Sequence, residues 1–290
     1  MMLYTGTGVA IVTPFKNDMT IDFDAMGRIV NHCIAGGVDY IVVLGSTGEA
    51  ATLNSAEKAD VARCVVEAVA GRVEIVIGVS GNYTADVVDA VKHTNFDGIS
   101  GLLTVTPYYN KPAQTGIIAH FKAVAAASPV PVILYNVPSR TGVNMTAETT
   151  LTLAREVENI VAVKEASGIL PQMMQIIKNR PDNFSVISGD DAITLPIMAI
   201  GGQGVISVAA NAFPLKVSTI IRKSLEGNYI DANTAHYELV DFFDALFVEG
   251  NPSGIKAALN ILGLSQNILR LPLVPVSQTT YEKIKSLIQN

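Results

Sequence analysis

The chain has 290 residues, of which 49% are hydrophobic and only 16% charged, a composition that excludes a disordered protein and suits a compact chain with a large core. Its formal net charge of −6 gives no overall field for nucleic acid or an anionic membrane, and no apolar run approaches the roughly 20 residues of a membrane span. The opening MMLYTGTGVAIVTPF lacks a positive flank ahead of an apolar stretch, so a cytoplasmic protein is expected.

From the N-terminus to about residue 225, short apolar runs alternate with amphipathic stretches in the rhythm of repeated βα units. Strands are predicted at 9–12, 40–44, 74–79, 101–106, 131–135, 160–164, 184–188 and 204–208. They read as nearly continuous apolar runs, the pattern of parallel strands covered on both faces. The glycines of TGTGVAIV precede the first run instead of following it, so the fingerprint of an open dinucleotide-binding sheet is missing and a (β/α)8 TIM barrel is preferred. Between the strands, Asn54 and Thr146 read as N-caps of helices with acidic residues in their first turns. Beyond Asn228 only helical patterns remain, in IDANTAHYELVDFFDALFVE, SGIKAALNILG and VSQTTYEKIKSLIQN. Residues 1–228 are therefore expected to form the barrel and 229–290 a C-terminal helical extension packed on it, within one structural domain. Cys33 and Cys64 have no CxxC spacing and read as reduced core thiols, and His32, His93, His120 and His236 show no ligand spacing, so no metal is expected.

Reactive groups of such a barrel gather at the carboxyl ends of its strands. After the second strand, GSTGE offers two hydroxyls between glycines, a turn suited to holding a carboxylate or simply to joining strand and helix. The fourth strand ends in TPYYN, placing Tyr108 and Tyr109 at the rim, where tyrosines more often pack or form interfaces. The fifth ends in LYNVPSRTG, with Tyr135 at its top and Arg140 in the loop beyond. In SGDD, Asp191 reads as the N-cap of the following helix, with no catalytic role.

The sixth strand holds the sharpest anomaly, because in IVAVKEAS Lys164 directly follows four apolar residues. Alternation puts it on one face with Ile160 and Ala162, opposite Val161 and Val163. Burial there lowers an amine's pKa, and a nucleophilic amine near neutrality needs roughly 4 kcal/mol of desolvation and neighbouring charge. A side chain that snorkels outward, or pairs with Glu165, fits this segment equally well.

GSTGE, TPYYN, YNVPSRTG, KEASG, SGDD and GVISV, in that order over essentially the whole length, resemble the dihydrodipicolinate synthase family. The resemblance implies a Schiff-base-forming lyase of lysine and diaminopimelate biosynthesis that condenses pyruvate with L-aspartate 4-semialdehyde, without metal or organic cofactor. Lys164 matches the lysine that forms the Schiff base, and Tyr135 the tyrosine that moves protons. Ser46 and Tyr109 match the other members of the proton relay, Thr47 and Ile206 pyruvate-contacting positions, and Arg140 the arginine that meets the semialdehyde's carboxylate. In the family the second relay tyrosine crosses from a neighbouring subunit, which implies a homotetramer built as a dimer of dimers. Ser46 departs from the usual threonine of GTTGE, keeping the hydroxyl but losing the methyl that restricts its rotamer.

The same resemblance raises a lysine-binding regulatory site. Asn82 and Tyr108 keep that pattern and Asp86 shortens the usual glutamate, whereas Ala50, Ser55 and Lys58 stand where lysine-sensitive members tend to have serine and histidines. Lys58 would repel the cationic inhibitor, so weak or absent inhibition is expected. Alternatives on the same barrel are an N-acetylneuraminate lyase or a 2-keto-3-deoxy-sugar-acid aldolase, and, from another class, a non-catalytic barrel with a binding role. Since GSTGE is also common among N-acetylneuraminate lyases, TPYYN and Arg140 are what favour the synthase.

Overall fold

The computed structural model describes residues 2–289. Its eight strands are β1 (Gly6–Ala10), β2 (Tyr40–Val43), β3 (Glu74–Gly78), β4 (Gly101–Val105), β5 (Val132–Asn136), β6 (Ile160–Glu165), β7 (Ser185–Ser188) and β8 (Gly204–Ser207). Each pairs in parallel with the next in sequence and β8 pairs with β1, closing a TIM barrel in the order expected. Helices between the strands form the outer ring, from Phe23–Ala35 after β1 to Pro214–Leu225 after β8.

Two apolar layers hold the barrel together. Tyr40, Val42, Val76, Leu103, Ile133 and Ile206 belong to the set that fills its interior, while the larger cluster lies between strands and helices. The interior is a packed core, so a polar side chain pointing inward near the top is desolvated by what lies beneath it.

Strand β1 starts three residues before the predicted 9–12 run, so the glycines of TGTG belong to the strand. The ring of Tyr40 occupies the place where a Cβ on Gly8 would stand, and any larger residue would collide with it. The low β propensity of glycine hides this close approach from a reading of local pattern.

A second correction concerns β6. The register with β5 runs Val132 to Ile160 and then Ile133 to Ala162, an irregularity that skips Val161. Ile160 therefore packs in the outer layer with Val163, not on the face of Lys164, and Val161 packs against the interior set instead of opposite Lys164, whereas Ala162 and Val163 lie as alternation predicts.

Helix starts follow the sequence at two places. Asn54 and Glu57 form a reciprocal capping box on Ser55–Val69, and the Thr146 hydroxyl accepts from Thr149 N at the start of Ala147–Glu156. Asp191 does not cap its own helix, correcting the expectation. Helix Thr194–Ala199 begins at Ile193 without a side-chain cap, while the Asp191 carboxylate accepts from the Ser207 hydroxyl and from Val208 N and Ala209 N at 2.9 and 3.0 Å. The carboxylate thus satisfies the otherwise unpaired amides of the turn that follows β8.

After residue 228 the chain forms helices Tyr229–Tyr237, Val240–Phe247, Ser253–Ile261 and Gln278–Gln289. The bend between the second and third carries Asn251 over the carboxyl ends of the strands, where it meets the loops after β2 and β5. Among the described residues no helix is long and apolar enough to cross a membrane, and Cys33 and Cys64 are free thiols, Cys33 buried and Cys64 half-buried.

Candidate active site

Lys164 is the penultimate residue of β6 and only 6% exposed. Its register partner on β5 is Tyr135, and its Nζ sits 4.4 Å from the centroid of that ring. Pairing with Glu165 does not occur, because successive residues of a strand point to opposite faces. Glu165 faces the outer layer, where it accepts from Asn136 Nδ2 at 3.0 Å, Gln172 Nε2 at 3.1 Å and Ser167 N at 2.9 Å. The Asn136–Glu165 hydrogen bond on the outside lies one register pair beyond Tyr135–Lys164 on the inside, a polar contact consistent with the register that brings the two functional groups together.

Burial lowers the Lys164 amine from 10.5 to about 7, with the Arg140 cation adding to the effect and the Asp191 carboxylate opposing part of it. The Tyr135 phenol moves the other way, to about 12, because burial penalises the phenolate, helped by Asp190 and opposed by Arg140. At neutral pH the site therefore holds an amine that is substantially unprotonated beside a phenol that keeps its proton. That is a nucleophile next to a proton carrier.

The approach of β7 gives the lysine room. A Cβ on Gly189 would stand 3.0 Å from Lys164 Cε and 2.8 Å from the Ala166 Cβ, so the glycine of SGDD is required by the side chain beside it. Reading the motif for its carboxylates alone misses this.

Thr47 is buried and its hydroxyl accepts from Asn251 Nδ2 at 2.9 Å, while Asn251 O accepts from Arg140 Nη2 at 3.3 Å. Asn251 thus links the GSTGE turn to the loop carrying Arg140. Sequence reasoning passed over it, and its only local signal is the helix break in GNPSG. Ile206, on β8, is among the interior residues. The structure thus gathers Lys164, Tyr135, Thr47 and Ile206 around the top of the barrel, with Arg140 at its rim.

Ser46 and Tyr109, by contrast, are exposed. Tyr109 is 86% exposed and held at φ 72°, in the left-handed region that a bulky residue rarely adopts. Asn82, Ser55, Lys58, Asp86 and Tyr108 are exposed as well, on the loops and helix starts after β2, β3 and β4, with Ala50 half-buried among them. Among the described residues no three His, Cys, Asp or Glu side chains cluster in a way that would hold a metal ion.

A closed parallel barrel with a desolvated lysine and a proton-bearing tyrosine at its carboxyl-terminal end defines a lyase that works through a Schiff base. The model of the dihydrodipicolinate synthetase family matches residues 3–290, and the chain belongs to that family. It is 53% identical over 284 residues to a 4-hydroxy-tetrahydrodipicolinate synthase of Parabacteroides distasonis, covering 98% of this chain and 96% of the relative. Among solved structures it resembles the dihydrodipicolinate synthase of Aquifex aeolicus, with TM-score 0.95, 42% identity and coverage of 99% and 97% of the two chains. The structure of the Cyanidioschyzon merolae enzyme with lysine bound is similarly close, with TM-score 0.96, 40% identity and coverage of 100% and 98%.

Proposed function

We propose that this protein condenses pyruvate with L-aspartate 4-semialdehyde to 4-hydroxy-tetrahydrodipicolinate, in lysine and diaminopimelate biosynthesis in the cytoplasm, with Lys164 as its nucleophile. The observation that carries this reading is the buried Lys164 amine, brought to about 7 and stacked on Tyr135. The neutral amine adds to C2 of pyruvate, the carbinolamine loses its oxygen as water, and the iminium loses a methyl proton to give an enamine. The enamine carbon attacks the aldehyde, whose oxygen takes a proton. The semialdehyde's own amine then replaces Lys164 at C2, closing the ring and freeing the lysine.

Tyr135 is placed to carry the protons of these steps. Thr47 and the amides of its turn suit the keto acid's carboxylate, Ile206 packs beside its carbon skeleton, and Arg140 suits the semialdehyde's carboxylate through a two-pronged contact. Ser46 and Tyr109 complete the relay between subunits. The strained and exposed Tyr109 supports a side chain offered to a neighbouring copy, in a homotetramer assembled as a dimer of dimers.

Borohydride reduction in the presence of pyruvate, followed by peptide mapping, tests the assignment. The label is expected on Lys164 alone, and the initial trapping rate should rise with pH through about 7 and then level off, because only the unprotonated amine adds to the ketone. Since the Tyr135 phenol keeps its proton up to about 12, no falling limb from that group is expected below this range. A label on another residue reassigns the site.

The exposed residues Asn82, Asp86, Tyr108, Ser55 and Lys58, with the half-buried Ala50, are proposed as a weak lysine site in which the Lys58 ammonium opposes the inhibitor's charge. Half-inhibition is expected only above about a millimolar, and Lys58→Ala should strengthen it by about two- to fivefold, the scale of one exposed charge. Sub-millimolar inhibition of the unmodified protein contradicts this.

A further inference from the structure

Helix Ser253–Ile261, outside the barrel, buries a second lysine. Lys256 is 0% exposed and forms an ion pair with Glu49, the last residue of the GSTGE turn, whose side chain is equally withdrawn from solvent. Lys256 Nζ also donates to Ile268 O at 2.9 Å and lies 4.2 Å from the centroid of the Phe15 ring, which the Arg270 guanidinium approaches at 4.5 Å. Arg270 N donates to the other Glu49 oxygen at 3.2 Å, and its guanidinium holds Glu57 on the helix after the turn. The C-terminal segment therefore grips the carboxylate from two sides.

What is gripped is a strained point of the proposed carboxylate-binding turn. Glu49 adopts φ 52°, its amide donates to Ser46 O at 3.1 Å, and Gly48 O accepts from the Thr13 hydroxyl at 2.7 Å. Thr47, two residues before it, takes its hydrogen bond from Asn251 of the same C-terminal segment. Withdrawing two charges from water costs desolvation that an apolar pair of similar volume avoids, so an ion pair here is a poor device for stability alone. What it adds over packing is a directed anchor that holds a bulky residue in the left-handed region.

We propose that Lys256, acting through Glu49, is a positioning residue that presets the Ser46–Thr47 turn for the carboxylate of the keto acid, so that the C-terminal extension sets the affinity for that substrate. This deepens the Schiff-base reading and rests on it.

The test compares the unmodified protein with Lys256→Met, Glu49→Gln and the double variant, using borohydride trapping of Lys164 against pyruvate concentration and the KM of each substrate. Each single variant is expected to raise the pyruvate concentration for half-maximal trapping and the pyruvate KM by about tenfold or more, since small misplacements of a binding group are costly. The semialdehyde KM and the saturated trapping rate should change by less than about twofold. The double variant removes both charges and should melt near the unmodified protein, yet keep the weakened pyruvate affinity. Wild-type pyruvate affinity in the double variant or in a folded single variant overturns the proposal, as does a fall in kcat with KM unchanged. A double variant that does not fold assigns the pair to folding and overturns it too. Failure of pyruvate to label the unmodified protein sinks the Schiff-base reading itself, a result distinct from all of these.

Discussion

Lys164→Met is expected to abolish borohydride trapping, to lower kcat/KM by about 10⁴- to 10⁶-fold, the cost of removing a covalent nucleophile, and to make the protein more stable. The gain in stability follows from the displaced ionisation. The amine is near 10.5 when unfolded and about 7 in the barrel, so below pH 7 it is charged in both states and the folded protein bears the full cost of burying that charge, at most about 5 kcal/mol. Between 7 and 10.5 the unfolded chain binds more protons than the folded one, so stability rises with pH and the cost disappears above 10.5. Methionine, of similar length and uncharged, removes it. The melting temperature of the variant should exceed that of the unmodified protein at pH 6 by several degrees and converge with it near pH 10. A less stable variant at pH 6 would show that the lysine is not buried as a charge. Buried Lys256 should take no label in the variant, because its amine is paired with Glu49 and fully enclosed, whereas Lys164 faces the open end of the barrel without forming an ion pair among the described residues.

Tyr135→Phe should reduce kcat by about 10²- to 10⁴-fold, the usual worth of a positioned proton-transfer group. The substitution keeps the ring under Lys164 Nζ and removes only the hydroxyl. Because the phenol is neutral up to about 12, its loss leaves the charge around Lys164 unchanged, and the rise of trapping through about pH 7 should stay in place while its plateau falls. Pre-steady-state trapping at several pH values reads both quantities. A drop in kcat of less than about tenfold would remove Tyr135 from the proton path.

The lysine could be found from the chain alone because four apolar residues before it announce a buried strand, and a charge at the end of such a strand is conspicuous. Its strand's faces were misjudged at Ile160 and Val161, since the irregularity that skips Val161 arises where β5 and β6 pair and leaves no mark in the periodicity of either strand. The same limit explains Asp191. A capping residue is recognised by the helix that follows it, but the amides this carboxylate satisfies belong to Val208 and Ala209, brought near by closure of the barrel.

Asn251, Glu49 and Lys256 were missed for a related reason. SGIKAALNI reads as an amphipathic helix in which one lysine looks solvated, and nothing nearby in the sequence tells that its partner lies 207 positions earlier.

The sequence by itself determined the eight-stranded parallel barrel, the helical tail, two of its helix caps and the anomalous lysine, because each depends on periodicity and composition within a dozen residues. The tertiary structure alone decided that Lys164 faces inward over Tyr135 and away from Glu165, that Gly189 leaves it space, and that the C-terminal segment reaches back to Thr47, Glu49 and Arg140. Those outcomes rest on desolvation and on contacts between distant segments, which exist only once the ring of strands has closed.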